Sequence, residues 1–335
     1  MSKVIIFSHE NDIDGIGSVV LCLLAFKTIN YELIPGVRDL EKLFREYIDS
    51  KRIYEFDKIF ITDLALYNPA IEMVNNDLEL RKKVLVFDHH ESSIKDGLDK
   101  YDFTTIMEMD KNGIKTCGTK LFYEYLCSNG FLKRTKSLDE FVELTRLEDA
   151  WEWKNAGEFG QKAHDLAIYF SEVGIENYIG AMFSKLSKNE NSFEFNANEL
   201  EIIKRKKQEF LDSLVDVWNN VEFFTDEFGN YFAAVYANYE LRNEISEYVR
   251  DLNIDNLKYV VIIAIDKGKS GQKSYRAIEE GFDVSSVAEA HGGNGHPAAS
   301  SVLITPEQKE QALILRKKNN RDSLEYLMWS SYENK

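Results

Sequence analysis

Three apolar runs in this chain end in residues that can bind a cation or move a proton. Residues 3–9 read Lys-Val-Ile-Ile-Phe-Ser-His and lead into Asp12 and Asp14. Residues 58–63 read Lys-Ile-Phe-Ile-Thr-Asp, and 84–91 read Val-Leu-Val-Phe-Asp-His-His-Glu. Buried parallel strands deliver polar groups in this way to the carboxyl edge of a sheet, where α/β proteins bind ligands. If the three runs converge, their natural occupant is a metal ion. Imidazole with hard carboxylates suits Mn, and also Fe, Co or Zn. Asp12 and Asp14 alternate around Ile13, so an extended turn would face both acids toward one cavity. Two acids, one more at Asp63, and two His supplies are ligands enough for two ions bridged by a shared carboxylate, and two ions about 3.5–4 Å apart favour in-line attack on phosphorus. Each element alone has a plainer reading, since Asp-x-Asp-Gly is a common turn and a strand-end Asp often caps a helix.

The other histidines follow the same bias. Of the six, five fall in three clusters: His9, His89/His90 and His291/His296. His164 stands in an amphipathic helical pattern and is read as packing. The last cluster belongs to His-Gly-Gly-Asn-Gly-His-Pro-Ala-Ala at 291–299. There Gly292, Gly293 and Gly295 would let backbone N–H groups approach a phosphate, with His296 adding a charged or hydrogen-bonding contact.

Strands must alternate with helices to bring these ends together. Strands are expected at 3–9, 31–35, 58–64, 83–88 and 101–107, with helices at 15–29, 40–50 and 69–75 between them. This predicts an α/β fold with a doubly wound, mainly parallel sheet. From 116 the periodicity turns helical, at 121–126, 138–153, 163–170 and 177–186. A polar loop then precedes a long charged helix at 199–219, read as an interdomain hinge or a homodimer contact. Its basic quartet at 204–207 is read as a solvated face. A smaller α/β unit follows, with strands at 232–236, 259–265, 274–278 and 301–304, helices at 240–252, 284–289 and 306–316, and a helical or frayed tail to 335. The expected layout is a catalytic domain at 1–190, a linker at 191–225 and a substrate-binding domain at 226–335.

Bulk properties narrow the class. With 335 residues, two domains are expected. A net charge of −16 argues against a protein that coats duplex DNA, although bound cations or local Arg and Lys can reverse the field at a site. No apolar run is long enough for a membrane span. A strand beginning almost at the first residue leaves no room for a signal peptide, so a cytoplasmic protein with Cys22, Cys117 and Cys127 as free thiols is expected.

The motif His9…Asp12-x-Asp14-Gly15, then Asp63, then Asp88-His89-His90, resembles the DHH superfamily of metal-dependent phosphoesterases. Gly292-Gly293-Asn294-Gly295-His296 is similar to the Gly-Gly-x-x-His signature of the DHH-associated domain, and Ser274-Tyr275-Arg276 to its Ser-x-Arg segment. The resemblance spans most of the chain. In length and layout it is nearest to the stand-alone nanoRNases of the NrnB type.

The resemblance implies two divalent ions, Mn2+ first, with Mg2+ or Co2+ as alternatives. His9, Asp12 and Asp63 would hold one. Asp63, Asp14 and His89 would hold the other with a later acid, either Asp149 or its neighbour Glu148. His90 would approach the scissile phosphate, and Asp88 would orient ligands or the attacking water. Arg276, His296 and the glycines would grip the end of a short substrate. The implied activity is hydrolysis of short single-stranded RNA to nucleoside monophosphates by in-line attack of hydroxide. The alternatives are cyclic dinucleotides, linear pApA or pGpG, phosphoadenosine phosphate, or a nucleotide sensor without turnover. Trp151 and Trp153 are candidates for base stacking or for core packing.

Overall fold

The computed structural model describes residues 2–188, 190–265 and 270–330. The chain forms two compact units, Met1–Lys207 and Gln208–Lys335, and their boundary falls inside the helix Ala197–Trp218.

In the first unit β1 (Val4–His9), β2 (Asn30–Ile34), β3 (Lys58–Thr62), β4 (Val84–Asp88) and β5 (Thr104–Ile106) pair in parallel. Their order is β2-β1-β3-β4-β5. The order reverses between β1 and β3, where doubly wound sheets open a crevice at their carboxyl ends. Both faces are covered, which is why the strands are apolar nearly throughout. Ile6, Phe60 and Phe87 meet the helices Ile13–Phe26, Gly118–Ser128 and Lys136–Asp149 on one side. Ile5, Phe7, Ile59 and Ile61 meet Val37–Asp49 and Ala70–Asn76 on the other. The doubly wound parallel sheet expected from the alternation of elements is the one that folds.

Local differences have local causes. The first helix begins at Ile13 because Asp12 caps it, its Oδ1 accepting from the amides of Asp14 and Gly15 at 3.1 and 3.0 Å. Such a cap is worth about 1 kcal/mol, and it replaces the extended Asp-Ile-Asp turn expected above. The basic quartet is not simply solvated. Arg205 and Lys206 pair with Glu172 at 2.7 and 2.9 Å and Lys207 pairs with Asp165, tying the long helix to Gly157–Val173.

The second unit is a six-stranded mixed sheet built from β6 (Glu222–Thr225), β7 (Tyr231–Tyr236), β8 (Tyr259–Ala264), β9 (Gly271–Ala277), β10 (Asn294–His296) and β11 (Ala299–Ile304). The order is β10-β11-β9-β8-β7-β6, and only β7 and β8 run parallel. Helices Val284–Ala290, Pro306–Arg316 and Asn320–Trp329 cover one face, and Arg242–Asp251 the other. The expected tail beyond 330 lies outside the described residues. Among the described residues no helix is long and apolar enough to cross a membrane.

Candidate active site and metal centre

The carboxyl ends of β1, β3 and β4 bring His9, Asp63 and His89 together, and the helices that follow add Asp12, Asp14 and Asp149. Three groups of three potential ligands result among the described residues: His9, Asp12 and Asp63; Asp14, His89 and Asp149; and Asp63, His89 and His90. Asp63 faces the first two. Its Oδ2 lies 3.3 Å from His9 Nδ1, and its Oδ1 lies 3.2 Å from His89 Nε2. His89 Nε2 is also 3.5 Å from Asp149 Oδ2 and 3.8 Å from Asp14 Oδ2. Of the two late acids, Asp149 is therefore the one in the cluster. Glu148 belongs to none of the groups, and its Oε1 accepts from His164 Nδ1 at 3.1 Å.

The backbone holds these groups under constraint. Asp63 is 2% exposed and adopts the left-handed conformation, φ 58°, a state that costs a non-glycine residue on the order of 1 kcal/mol. Gly118 makes room for it, since a Cβ there would lie 2.7 Å from the Asp63 amide nitrogen. Asp14, fully buried, accepts from the Gly118 and Thr119 amides at 2.7 Å each. The N-terminus of Gly118–Ser128 thus fixes and partly neutralises this carboxylate.

The charges are unbalanced without a cation. Hydrogen bonds to Asp12 and Asp63 push His9 up to about 10. Burial opposes charge on His89, but Asp63, Asp14 and Asp149 outweigh it and hold this imidazole at about 10. Burial also raises Asp14, with Asp63 and Asp149 adding to the effect, and raises Asp149 to about 6. Burial alone would raise Asp63 as well, yet its bonds to His89 and His9 leave it below the usual carboxylate range. Protonated imidazoles are standing in for positive charge.

A divalent cation fits this donor set. Asp63 Oδ2 and Asp149 Oδ2 are buried and accept no hydrogen bond of good geometry, although an imidazole nitrogen stands near each. Donors roughly 2.1 Å from a shared ion sit about 3–3.5 Å apart, the spacing seen between these atoms.

His90, which stands with Asp63 and His89 in the third group, pairs with Asp88. His90 Nδ1 donates to Asp88 Oδ1 at 2.7 Å, and Ser93 Oγ donates to Asp88 Oδ2 at 2.5 Å. Asp88 is fully buried, whereas half of the His90 side chain is exposed. Both Asp88 oxygens hold protein donors, and through one of them Asp88 positions His90, itself a potential metal ligand. Its hydrogen bond raises the His90 pKa.

Beyond Asp149 the helix ends at Ala150, and Trp151 takes the next position with φ 58°. The Trp151 amide donates to Glu148 O at 3.1 Å and the Glu152 amide to Leu147 O at 2.9 Å. This is the helix ending in which glycine ordinarily supplies the left-handed residue. Trp151 is 59% exposed. Trp153 instead stacks on His164, centroids 4.1 Å apart, and packs against the core.

In the second unit the register places Arg276 opposite Ala299, and Ala299 opposite His296. Opposed residues of antiparallel strands share a face, so Arg276 and His296 stand on one face, two strands apart. Arg276 donates through Nε and Nη2 to Asn243 Oδ1, both at 3.3 Å, and Arg242 stacks on Tyr239 at 4.0 Å. Burial, then the neighbouring Arg242, lower the Arg276 pKa. Neither guanidinium has an acidic partner among the described residues.

The glycines correct the sequence reading. The Gly292 and Gly293 amides already donate to Glu289 O and Ala288 O at 3.0 and 2.8 Å, closing the helix Val284–Ala290. A Cβ on Gly293 would lie 2.2 Å from Ser301 O, and one on Gly295 2.5 Å from Ser300 Cα. They let β10 lie against β11, and the phosphate cradle expected of Gly292 and Gly293 is filled by the protein's own carbonyls.

Comparison with known proteins agrees with this geometry. The DHH family, N-terminal domain, matches residues 3–146. Oligoribonuclease NrnB of Bacillus subtilis is 30% identical over 324 residues, covering 91% of this chain and 74% of that protein. Among solved structures, the exonuclease RecJ bound to manganese superposes with a TM-score of 0.53 at 11% identity, covering 98% of this chain and 90% of RecJ. The pGpG-specific phosphodiesterase PggH of Vibrio cholerae does so with 0.52 at 11% identity, covering 96% and 99%. These two share the fold. The motif ends of β1, β3 and β4, the family match and the Bacillus relative together make this chain a member of the DHH family and a hydrolase of phosphodiester bonds.

Proposed function

We propose that the protein hydrolyses short single-stranded oligoribonucleotides to nucleoside monophosphates with two divalent ions, Mn2+ foremost. The observation that carries the reading is Asp63, whose two oxygens face two separate groups of ligands. His9 and Asp12 would hold one ion with Asp63, and Asp14, His89 and Asp149 the other. Such a pair supplies a nucleophile at neutral pH and offsets charge on the attacked phosphate.

The protein's own groups do the rest. Asp63, fixed in its left-handed turn, keeps the two groups in register. Asp88 holds His90 so that its ring donates a hydrogen bond to an oxygen of the scissile phosphate, and the bond to Asp88 favours the charged form of that ring. Arg276 and His296 bind the terminal phosphate of the substrate. In a chain of net charge −16, such local cations are needed to draw in an anion. The Bacillus relative, an oligoribonuclease, supports the choice of substrate.

The test is hydrolysis of end-labelled RNAs of about two to seven nucleotides with Mn2+, beside pApA, cyclic dinucleotides and pyrophosphate. The expected result is stepwise shortening to mononucleotides. Turnover confined to pApA or to the cyclic species would replace RNA with a second-messenger substrate, and no turnover at all would leave a sensor.

A further inference from the structure

We infer that Trp151 is a stacking platform for a nucleobase next to the scissile phosphate, a role that rests on the nucleotide-hydrolase reading above. Its backbone is left-handed, φ 58°, at a helix ending that glycine would occupy without strain. Its indole is 59% exposed. Folding therefore neither asks for a tryptophan here nor buries the one it has. A large aromatic kept in a strained turn and turned to solvent points to a ligand.

The location says which ligand. Two cavities flank the acidic cluster, of about 290 and 460 Å3, and both count Asp149 and Trp151 in their linings. His89 and His90 complete the smaller, and Asp12 and Asp14 the larger. The indole therefore stands beside the metal ligands and beside the imidazole assigned to the phosphate. Lys154 Nζ lies over the ring at 5.4 Å from its centroid, which leaves the opposite face for a planar partner. The group that accompanies a phosphodiester into such a place is a base. Stacking on an aromatic face tolerates any base, so Trp151 gives affinity for nucleotides without sequence preference. Trp153, two residues on, already has His164 as its stacking partner.

The experiment compares wild type, Trp151→Gly and Trp151→Phe on pApA and on an analogue of pApA lacking both bases. Trp151→Gly relieves the left-handed strain, so its melting temperature should not fall, whereas a merely structural tryptophan would lower it. Its preference for pApA over the baseless analogue, as the ratio of kcat/KM values, should drop by about tenfold or more, chiefly through KM. Trp151→Phe should recover most of that preference. Equal loss on both substrates, or an unchanged ratio, overturns the proposal. Quenching of tryptophan fluorescence by AMP, with Ca2+ in place of Mn2+, reads the stacking without turnover. Quenching that Trp151→Gly abolishes supports the platform even if pApA is not cleaved, in which case only the hydrolase reading fails. Quenching that persists in Trp151→Gly overturns the platform.

Discussion

The two units treat charge in opposite ways. The first gathers four carboxylates and three imidazoles at the carboxyl edge of its sheet and leaves Asp63 Oδ2 and Asp149 Oδ2 buried without a hydrogen bond of good geometry. The second places Arg276, Arg242 and His296 around one sheet face, with no acid paired to either guanidinium among the described residues. One surface is short of positive charge and the other of negative charge. Under the function proposed above, a metal ion would answer the first deficit and a phosphate the second, the division of labour of a metal-dependent phosphodiesterase.

Removing the residue common to both ligand groups should break this contrast most severely. Asp63→Ala should lower kcat by more than about 100-fold, since losing even an outer partner of a metal ligand costs 10- to 100-fold, and steady-state assays across a range of Mn2+ concentrations would show it. Arg276→Ala removes a charge-assisted contact and should raise KM for short RNA about 10- to 100-fold while metal binding is retained. A loss of metal binding in that variant would contradict the assignment of separate roles.

A smaller effect concerns His90. Its pKa lies above the usual 6.5 because Asp88 stabilises the charged ring. The imidazolium is therefore present below that raised pKa and is lost as pH climbs through it. Asp88→Asn should move the alkaline limb of the kcat/KM profile to lower pH. An unmoved limb would remove His90 from the account.

The smallest effect separates a cation placed for a ligand from one that is only structural. Lys273 is buried, donates to Leu327 O at 2.8 Å, and is lowered by burial from 10.5 to about 8. Between those values the unfolded chain holds a proton that the folded one lacks, so stability rises with pH there and the burial penalty is fullest below pH 8. Lys273→Met should raise the melting temperature by a few degrees at neutral pH, and the gain should fade toward pH 10.5. KM should not change.

Much of the first unit was legible because its strands are buried on both faces and end abruptly in His or Asp. The six expected metal ligands lie together because β1, β3 and β4 are neighbours and the helices after them start or end at that edge. Less visible were features that depend on tertiary approach. Nothing in Thr-Asp-Leu announces a left-handed Asp63, and nothing in Cys-Gly-Thr announces amides that grip Asp14 from more than a hundred residues away. Asn-Gly-His at β10 has no strand propensity and becomes a strand only by pairing with β11. The glycines before it were read as phosphate ligands because their part in admitting that strand requires the partner to be seen. A left-handed Trp151 was equally hidden, since that position ordinarily reads as glycine.

Whether the Asp63-centred cluster holds two ions is tested most directly by counting Mn2+ bound per chain with electron paramagnetic resonance. The expected result is two ions per wild-type chain, more tightly held as pH rises because His9 and His89 must lose protons. Asp149→Ala should retain one. No bound ion, or binding that Asp63→Ala leaves intact, would contradict the two-ion assignment.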